Sequence, residues 1–292
     1  MSQRQFHALE DEAETLSASL PPLMVEAERL ASAVSLGVHG RRKAGMGESF
    51  WQFRHYRAED PSIAIDWRQS GKSQHLYVRE REWEAAQSVW FWRDGSRGMR
   101  FRSIGPTKID RATVLTLALA SLLVRGGERI ALVGEGHGPA ASRIALRRIA
   151  HALLDLEPAD SALPPDAPVT KNAHFVWASD FLTPIEDIEL TLRRLTKTTA
   201  SGHLVHVIDP AEEDFPYTGR TRFEAVEGKL NETLGRAESV ASAYRTRFKA
   251  HSEAVAQMAR KLGWNYLAHR TDRPAQMALV ALFADLSGAI RA

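Results

Sequence analysis

The 292-residue sequence predicts an α/β fold, a mostly parallel sheet with helices on both faces. Two patterns predict it. Short runs of large and β-branched residues recur at Ser88–Arg93, Arg129–Val133, His174–Ala178 and His203–Ile208, with helical periodicity between them. Three of these runs stop at a carboxylate, Asp94, Asp180 and Asp209. Open parallel sheets bind ligands outside the carboxyl ends of their strands, so the three acids mark the rim to inspect.

In chain order, residues 1–34 are expected to be a helical segment. Leu16, Leu20, Leu23, Met24, Ala27, Leu30, Ala31 and Val34 recur at three and four residues and make one apolar face. Pro21-Pro22 divides it, and a second helix starts near Pro22, where proline suits a first turn. That face either packs on the main domain or meets a partner, and packing is the commoner outcome.

Residues 35–86 change character and are expected to form a small β-rich subdomain. Gly37, Gly40, Gly45 and Gly47 crowd around Arg41, Arg42 and Lys43. Alternation over 50–56 and 75–81 suggests short strands. Aromatics interleaved with arginines resemble a nucleic-acid surface. Six acids, Glu48, Glu59, Asp60, Asp66, Glu80 and Glu82, sit among them, however. That mixture favours internal Arg–carboxylate pairs stacked on aromatics, with Asp66 holding an arginine and Trp67 buried. Arg54, Arg57 and Arg79 are the alternative, a set of partner-binding cations.

Residues 87–292 carry the α/β domain. Thr113–Val124 and Ile144–Leu156 read as helices, 157–172 as a loop, and Ile185–Leu195 as a helix. Arg220–Val226 suggests an edge strand and Arg236–Leu262 a long helix. Trp264–His269 reads as a last strand. A closing helix over Pro274–Ile290 offers Met277, Val280, Ala281, Ala284 and Leu286 to the core.

Composition bounds the function. The chain has no cysteine, which excludes disulfides, thiolate metal sites and cysteine nucleophiles. No apolar run approaches the ~20 residues that span a bilayer, and the first residues are polar and acidic, so a soluble cytoplasmic protein is expected. A net charge of +2 does not suggest nucleic acid, but charge is uneven. Residues 41–102 hold 13 Lys and Arg against 8 Asp and Glu, while residues 9–28 hold six acids and no base. A basic face of this kind speeds encounter with an acidic partner.

One ordered set of residues resembles a known family. Gly45-x-Gly47-Glu48-x-Phe50, Arg54-x-Tyr56-Arg57-x-Glu59-Asp60, Ile65-Asp66-Trp67-Arg68 and Leu76-x-Val78-Arg79-Glu80 resemble the signature of DUF58 proteins. The likeness continues through Lys108-x-Asp110-Arg111-Ala112, Gly127-Glu128-Arg129, Ser179-Asp180-Phe181 and Asp209-Pro210. The resemblance implies a von Willebrand factor A-like (Rossmann-type) domain beginning at the strand before Asp94. It also implies a partner, a MoxR-type AAA+ ATPase or its client complex, and an adaptor or co-chaperone role.

The same resemblance raises a metal question. In von Willebrand A domains a metal-ion-dependent adhesion site uses D-x-S-x-S after the first strand, a loop threonine and a later aspartate. Here Asp94 and Ser96 match the first two positions and Asp180 the later one, which would hold Mg²⁺ or Mn²⁺. Gly98 stands where the third hydroxyl belongs, and no loop threonine is identified. Arg93 and Arg97 flank the motif, and Asp209 reads as a strand-end cap.

Catalytic motifs are absent from the sequence: it has no P-loop, no H-E-x-x-H and no G-x-S-x-G. Gly134-Glu135-Gly136-His137-Gly138 lacks a lysine and reads as a loop. His203 and His206, three apart on a strand, should face opposite sides. A non-enzymatic interaction module is therefore expected. The alternative is a metal-dependent, phosphatase-like hydrolase using Asp94, but that chemistry needs a second acid where Ser96 stands.

Overall fold

A computed structural model describes residues 22–39, 50–56, 65–72, 75–81, 86–155, 162–224 and 231–291. They divide into two compact units, one within residues 38–86 and one comprising 87–292 with the chain up to 37.

The smaller unit contains β1 (Phe50–His55), α2 (Trp67–Ser70) and β2 (Tyr77–Arg81). The two strands pair antiparallel, Phe53 opposite Arg79 and Arg54 opposite Val78, with an irregularity between Phe50 and Gln52. Asp66 takes a capping role, and the side chains of Arg54, Arg57 and Arg79 lie outside the described residues. Asp66 Oδ1 accepts from the Gln69 backbone N–H at 2.9 Å and so caps α2. Trp67, expected to be buried, is 67% exposed, because it lies on the first turn of a one-turn helix.

The larger unit begins with α1 (Pro22–His39), which starts at the expected proline. The preceding residues, on which a first helix was expected, lie outside the described set. Met24, Ala27, Ala31 and Val34 are buried in the main core, so this apolar face packs on the domain. Glu28 accepts from Ser121 Oγ at 3.0 Å beside that contact.

The remaining elements are β3 (Ser88–Arg93), α3 (Lys108–Arg125), β4 (Arg129–Leu132), α4 (Arg143–Asp155), β5 (Ala173–Ser179) and α5 (Ile185–Leu195). They continue with β6 (Thr199–Ile208), α6 (Pro210–Asp214), β7 (Thr221–Glu224), β8 (Asn231–Leu234), α7 (Ala241–Lys261), β9 (Asn265–Arg270) and α8 (Ala275–Arg291). Five strands form one parallel sheet in the order β4-β3-β5-β6-β9. This is the α/β sheet the sequence predicts. Strand alternation sends Val89, Phe91, Val176, Val205 and Val207 to a core shared with α1, α3, α4 and α8. Trp90, Phe175, Trp177 and Leu204 face α5 and α7. After β4 the glycine-rich stretch reverses the chain, and Ala140 pairs antiparallel with Ile130 at the sheet edge.

Three expectations change. The stretch at Arg220–Val226 does not extend the main sheet: β7 pairs with β8 in a separate antiparallel hairpin, around Phe215, Tyr217 and Phe223. Of the residues expected in the core, Met277 (75%), Val280 (40%) and Ala284 are exposed, because α8 turns Ala275, Ala278, Leu279 and Leu282 inward beside the expected Leu286. The helix read from Thr113 starts at Lys108, capped by Thr107 Oγ1, which accepts from the Asp110 N–H at 3.1 Å. That earlier start brings Lys108 to the rim.

Among the described residues no helix is long and apolar enough to cross a membrane.

Candidate functional site

The sheet order changes direction at β3. Its successor β4 lies on one side and β5 on the other, so the carboxyl ends of β3 and β5 frame the crevice where doubly wound folds bind ligands. Asp94 and Asp180 end these two strands. The Asp94 N–H donates to the Ala178 carbonyl at 2.8 Å, which extends the ladder to the rim. The structure thus brings together the three residues proposed from sequence: Asp94, Ser96 and Asp180 are all buried.

Each acid is held by protein donors. Asp94 Oδ1 accepts from the Ser96 N–H at 2.7 Å, and Oδ2 accepts from Ser179 Oγ at 2.7 Å. Asp180 Oδ1 accepts from the Leu182 N–H at 3.1 Å, and Oδ2 accepts from Lys108 Nζ at 2.8 Å. The Lys108 ammonium donates also to Glu212 Oε1. Glu212 Oε2 in turn accepts from the Asp209 N–H at 2.9 Å.

Lys108 and Glu212 are the residues of this rim that the sequence reading did not place there, Lys108 having entered only through the family likeness. Glu212 arrives through a capping box. Asp209 caps α6, its Oδ1 accepting from the Ala211 N–H at 2.8 Å, and Glu212 reaches back to the cap. The Asp209-Pro210-Ala211-Glu212 spacing carried that signal. Asp209 is therefore the cap expected of it, and Ser103 ties it to the loop after β3, with its N–H 2.7 Å from Asp209 Oδ2.

The electrostatics follow from burial. Lys108 is 1% exposed. Burial pulls its pKa down, but Asp180 and Glu212 outweigh that and hold it above that of a free lysine. Burial first, and then the charge of Asp180, pushes the Asp94 carboxyl up to about 6, against the hydrogen bonds from Ser96 and Ser179. Burial pushes Glu212 up as well, against the pull of Lys108. Arg93 bonds elsewhere, although it feels the charge of Asp94. Its guanidinium donates to the Leu153 carbonyl at 3.1 Å, in the last turn of α4, and burial lowers its pKa to about 10. Arg97 is exposed.

These residues do not fit a resident Mg²⁺ or Mn²⁺. A carboxylate oxygen with one donor still has a lone pair for a metal, so the hydrogen bonds alone do not decide. The ammonium decides: a buried positive charge already sits on Asp180 at contact distance. Gly98 supplies no hydroxyl in the third motif position, although a Cβ there would stand 3.1 Å from Asp180 Oδ2 and 3.8 Å from Ser96 Oγ. Among the described residues no group of three or more His, Asp or Glu is arranged to hold a metal ion.

Other candidates lie elsewhere. Arg54 and Arg79 fall on the paired strands of the smaller unit, and Arg57 lies outside the described residues. His203 and His206 take opposite faces of the sheet. His206 is 2.6 Å from Tyr266 Oη, and His203 is 3.1 Å from Asn265 Nδ2. Two aliphatic side chains are exposed on the loops at the rim, Ile104 at 62% after β3 and Leu182 at 47% after β5. Arg97, Arg100 and Arg102 are exposed beside the former.

Comparison with known proteins places this site in context. The family model described as "Protein of unknown function DUF58" matches residues 52–254. The uncharacterized protein Rv1480 of Mycobacterium tuberculosis is 26% identical over 278 residues, 88% of this chain and 86% of the relative. The uncharacterized protein Mb1516 of Mycobacterium bovis matches to the same extent. Among solved structures, an aerotolerance-related membrane protein from Bacteroides fragilis aligns with a TM-score of 0.42 and 12% identity, over 70% of this chain and all of that one. The conserved hypothetical protein BatB from Bacteroides thetaiotaomicron aligns with a TM-score of 0.39 and 11% identity, over 71% of this chain and all of that one.

Proposed function

We propose, for a chain that belongs to the DUF58 family, a non-enzymatic role as a protein-interaction module that docks another protein at the carboxyl rim of its sheet. One observation carries the reading. The polar groups at the switch point are spent on one another, while the loops beside them expose Ile104 and Leu182. A rim of this kind offers surface rather than reactive groups. The exposed Arg97, Arg100 and Arg102 add positive charge, which suits a partner face that is acidic around an apolar centre.

The partner we assign is a MoxR-type AAA+ ATPase or its client complex, with this chain as adaptor or co-chaperone. The family resemblance supports that assignment. The hydrolase alternative gains nothing from the geometry. Asp94 is fully buried with both oxygens hydrogen-bonded, whereas a nucleophile must reach its substrate.

The test is binding of the purified chain to an immobilised MoxR-type ATPase. Ile104→Asp and Leu182→Asp should each weaken binding by tenfold or more, while leaving thermal stability unchanged. Equal affinity in the wild type and both variants overturns the rim as the docking site. Turnover of p-nitrophenyl phosphate that Asp94→Asn abolishes would overturn the non-enzymatic reading.

A further inference from the structure

We propose that the Lys108 ammonium is the resident cation of this rim. It takes the place that a divalent ion holds in metal-dependent adhesion sites, so the site is assembled without metal. The inference rests on side-chain geometry and not on the adaptor reading.

Several observations converge. The aspartate that ends β5 would be a ligand in the metal version of the site, and it is the residue on which Lys108 sits, at 2.8 Å. The lysine is buried, and a second acid, Glu212, is fixed on its other side by the α6 cap. One positive charge is thus enclosed by a carboxylate at the end of β5 and another from α6, the helix that follows β6.

The position is also an unfavourable one for a lysine. Lys108 is the first residue of an 18-residue helix, where the helix dipole disfavours cations. Exposed lysines leave such positions readily, and this one is held there by the two acids. Its Nζ lies over the Phe101 ring, 6.0 Å from the ring centre.

The motif departs from D-x-S-x-S at Gly98, where a side chain would reach toward Asp180. With an ammonium on Asp180, a further hydroxyl ligand has no ion to serve. The missing serine and the buried lysine are two parts of one substitution, an organic cation for an inorganic one.

Mn²⁺ and Mg²⁺ titration of metal-stripped protein tests this, followed by calorimetry and by thermal unfolding. The wild type should show no heat and no rise in Tm. Lys108→Ser, which leaves Asp94, Ser96, Asp180 and Glu212 around an uncharged position, should bind Mn²⁺ one to one and gain several degrees in Tm. One-to-one binding by the wild type that Asp94→Asn abolishes overturns the proposal. A folded Lys108→Ser that gains no ion overturns it too. Should that variant fail to fold, ¹⁵N-lysine NMR of the wild type decides. A slowly exchanging Lys108 –NH₃⁺ signal, unchanged by Mg²⁺, supports the proposal, and its absence or displacement by Mg²⁺ overturns it.

Discussion

Gly98 lies against Asp180 so closely that a Cβ at position 98 would stand 3.1 Å from Asp180 Oδ2. Asp180 has little freedom to yield, because Lys108 and the Leu182 N–H hold its two oxygens. Gly98→Ser, the substitution that writes D-x-S-x-S into this chain, should therefore destabilise by about 1–3 kcal/mol, the usual cost of overpacking. It should confer no divalent binding. Urea unfolding and Mn²⁺ calorimetry on the one variant check both statements.

Removing the ammonium should cost more. Lys108→Met leaves Asp180 and Glu212 buried without their cation, and breaking a buried pair from one side costs about 3–5 kcal/mol. Arg193 and Glu189 also lie within contact, at 2.6 Å, but on the outside of α5 with most of the arginine side chain in solvent. Arg193→Met should change stability by no more than about 0.5 kcal/mol. Chemical denaturation of the two variants side by side separates an enclosed ion pair from an exposed one.

Gly202 should tolerate no side chain. A Cβ there would lie 2.1 Å from the Trp264 ring, which is itself buried against Phe175. The ring belongs to the start of the β9 segment and cannot withdraw without opening the α7 face of the sheet. Gly202→Ala should lose several kcal/mol or fail to accumulate as folded protein, read by circular dichroism and by soluble yield.

Stability should fall on mild acidification, and Asp94 should oppose the fall. Burial lowers the pKa of His203, His206 and His269 to about 4 each, from 6.5. Their contribution is present above pH 6.5 and is lost as pH drops toward about 4, because the unfolded chain takes up protons first. Asp94 has the opposite sign. Its native pKa of about 6 exceeds the unfolded 3.8, so its contribution is present below 3.8 and is lost as pH rises through about 6. The three histidines outweigh the two raised acids, Asp94 and Glu212. The urea midpoint should decline from pH 7 to pH 5, and Asp94→Asn should steepen that decline.

Much of the fold was legible in the sequence because local periodicity reflects burial. The runs at Ser88–Arg93 and Ala173–Ser179 are hydrophobic on both faces, as a strand covered on both sides must be, and both are central strands. Asp94, Ser96 and Asp180 were legible as a group because strand ends of a parallel sheet share one rim. The hairpin of β7 and β8 was not, since short polar strands such as Asn231–Leu234 carry no alternating apolar signal. Exposure of Met277 was not legible either. Apolar residues cover nearly every face of α8, and packing against α3 and β9 selects which one is buried.

The sequence by itself determined the parallel α/β sheet, the acids at its carboxyl ends and the gap at Gly98, because each follows from residue type and short-range spacing. Only the tertiary structure decided what neutralises those acids. Lys108 meets Asp180 across 72 residues and Glu212 across 104, and no local pattern reports a contact of that range. A lysine at a helix start is ordinarily a solvated charge. Burial beside two fixed carboxylates is what makes this one part of the site.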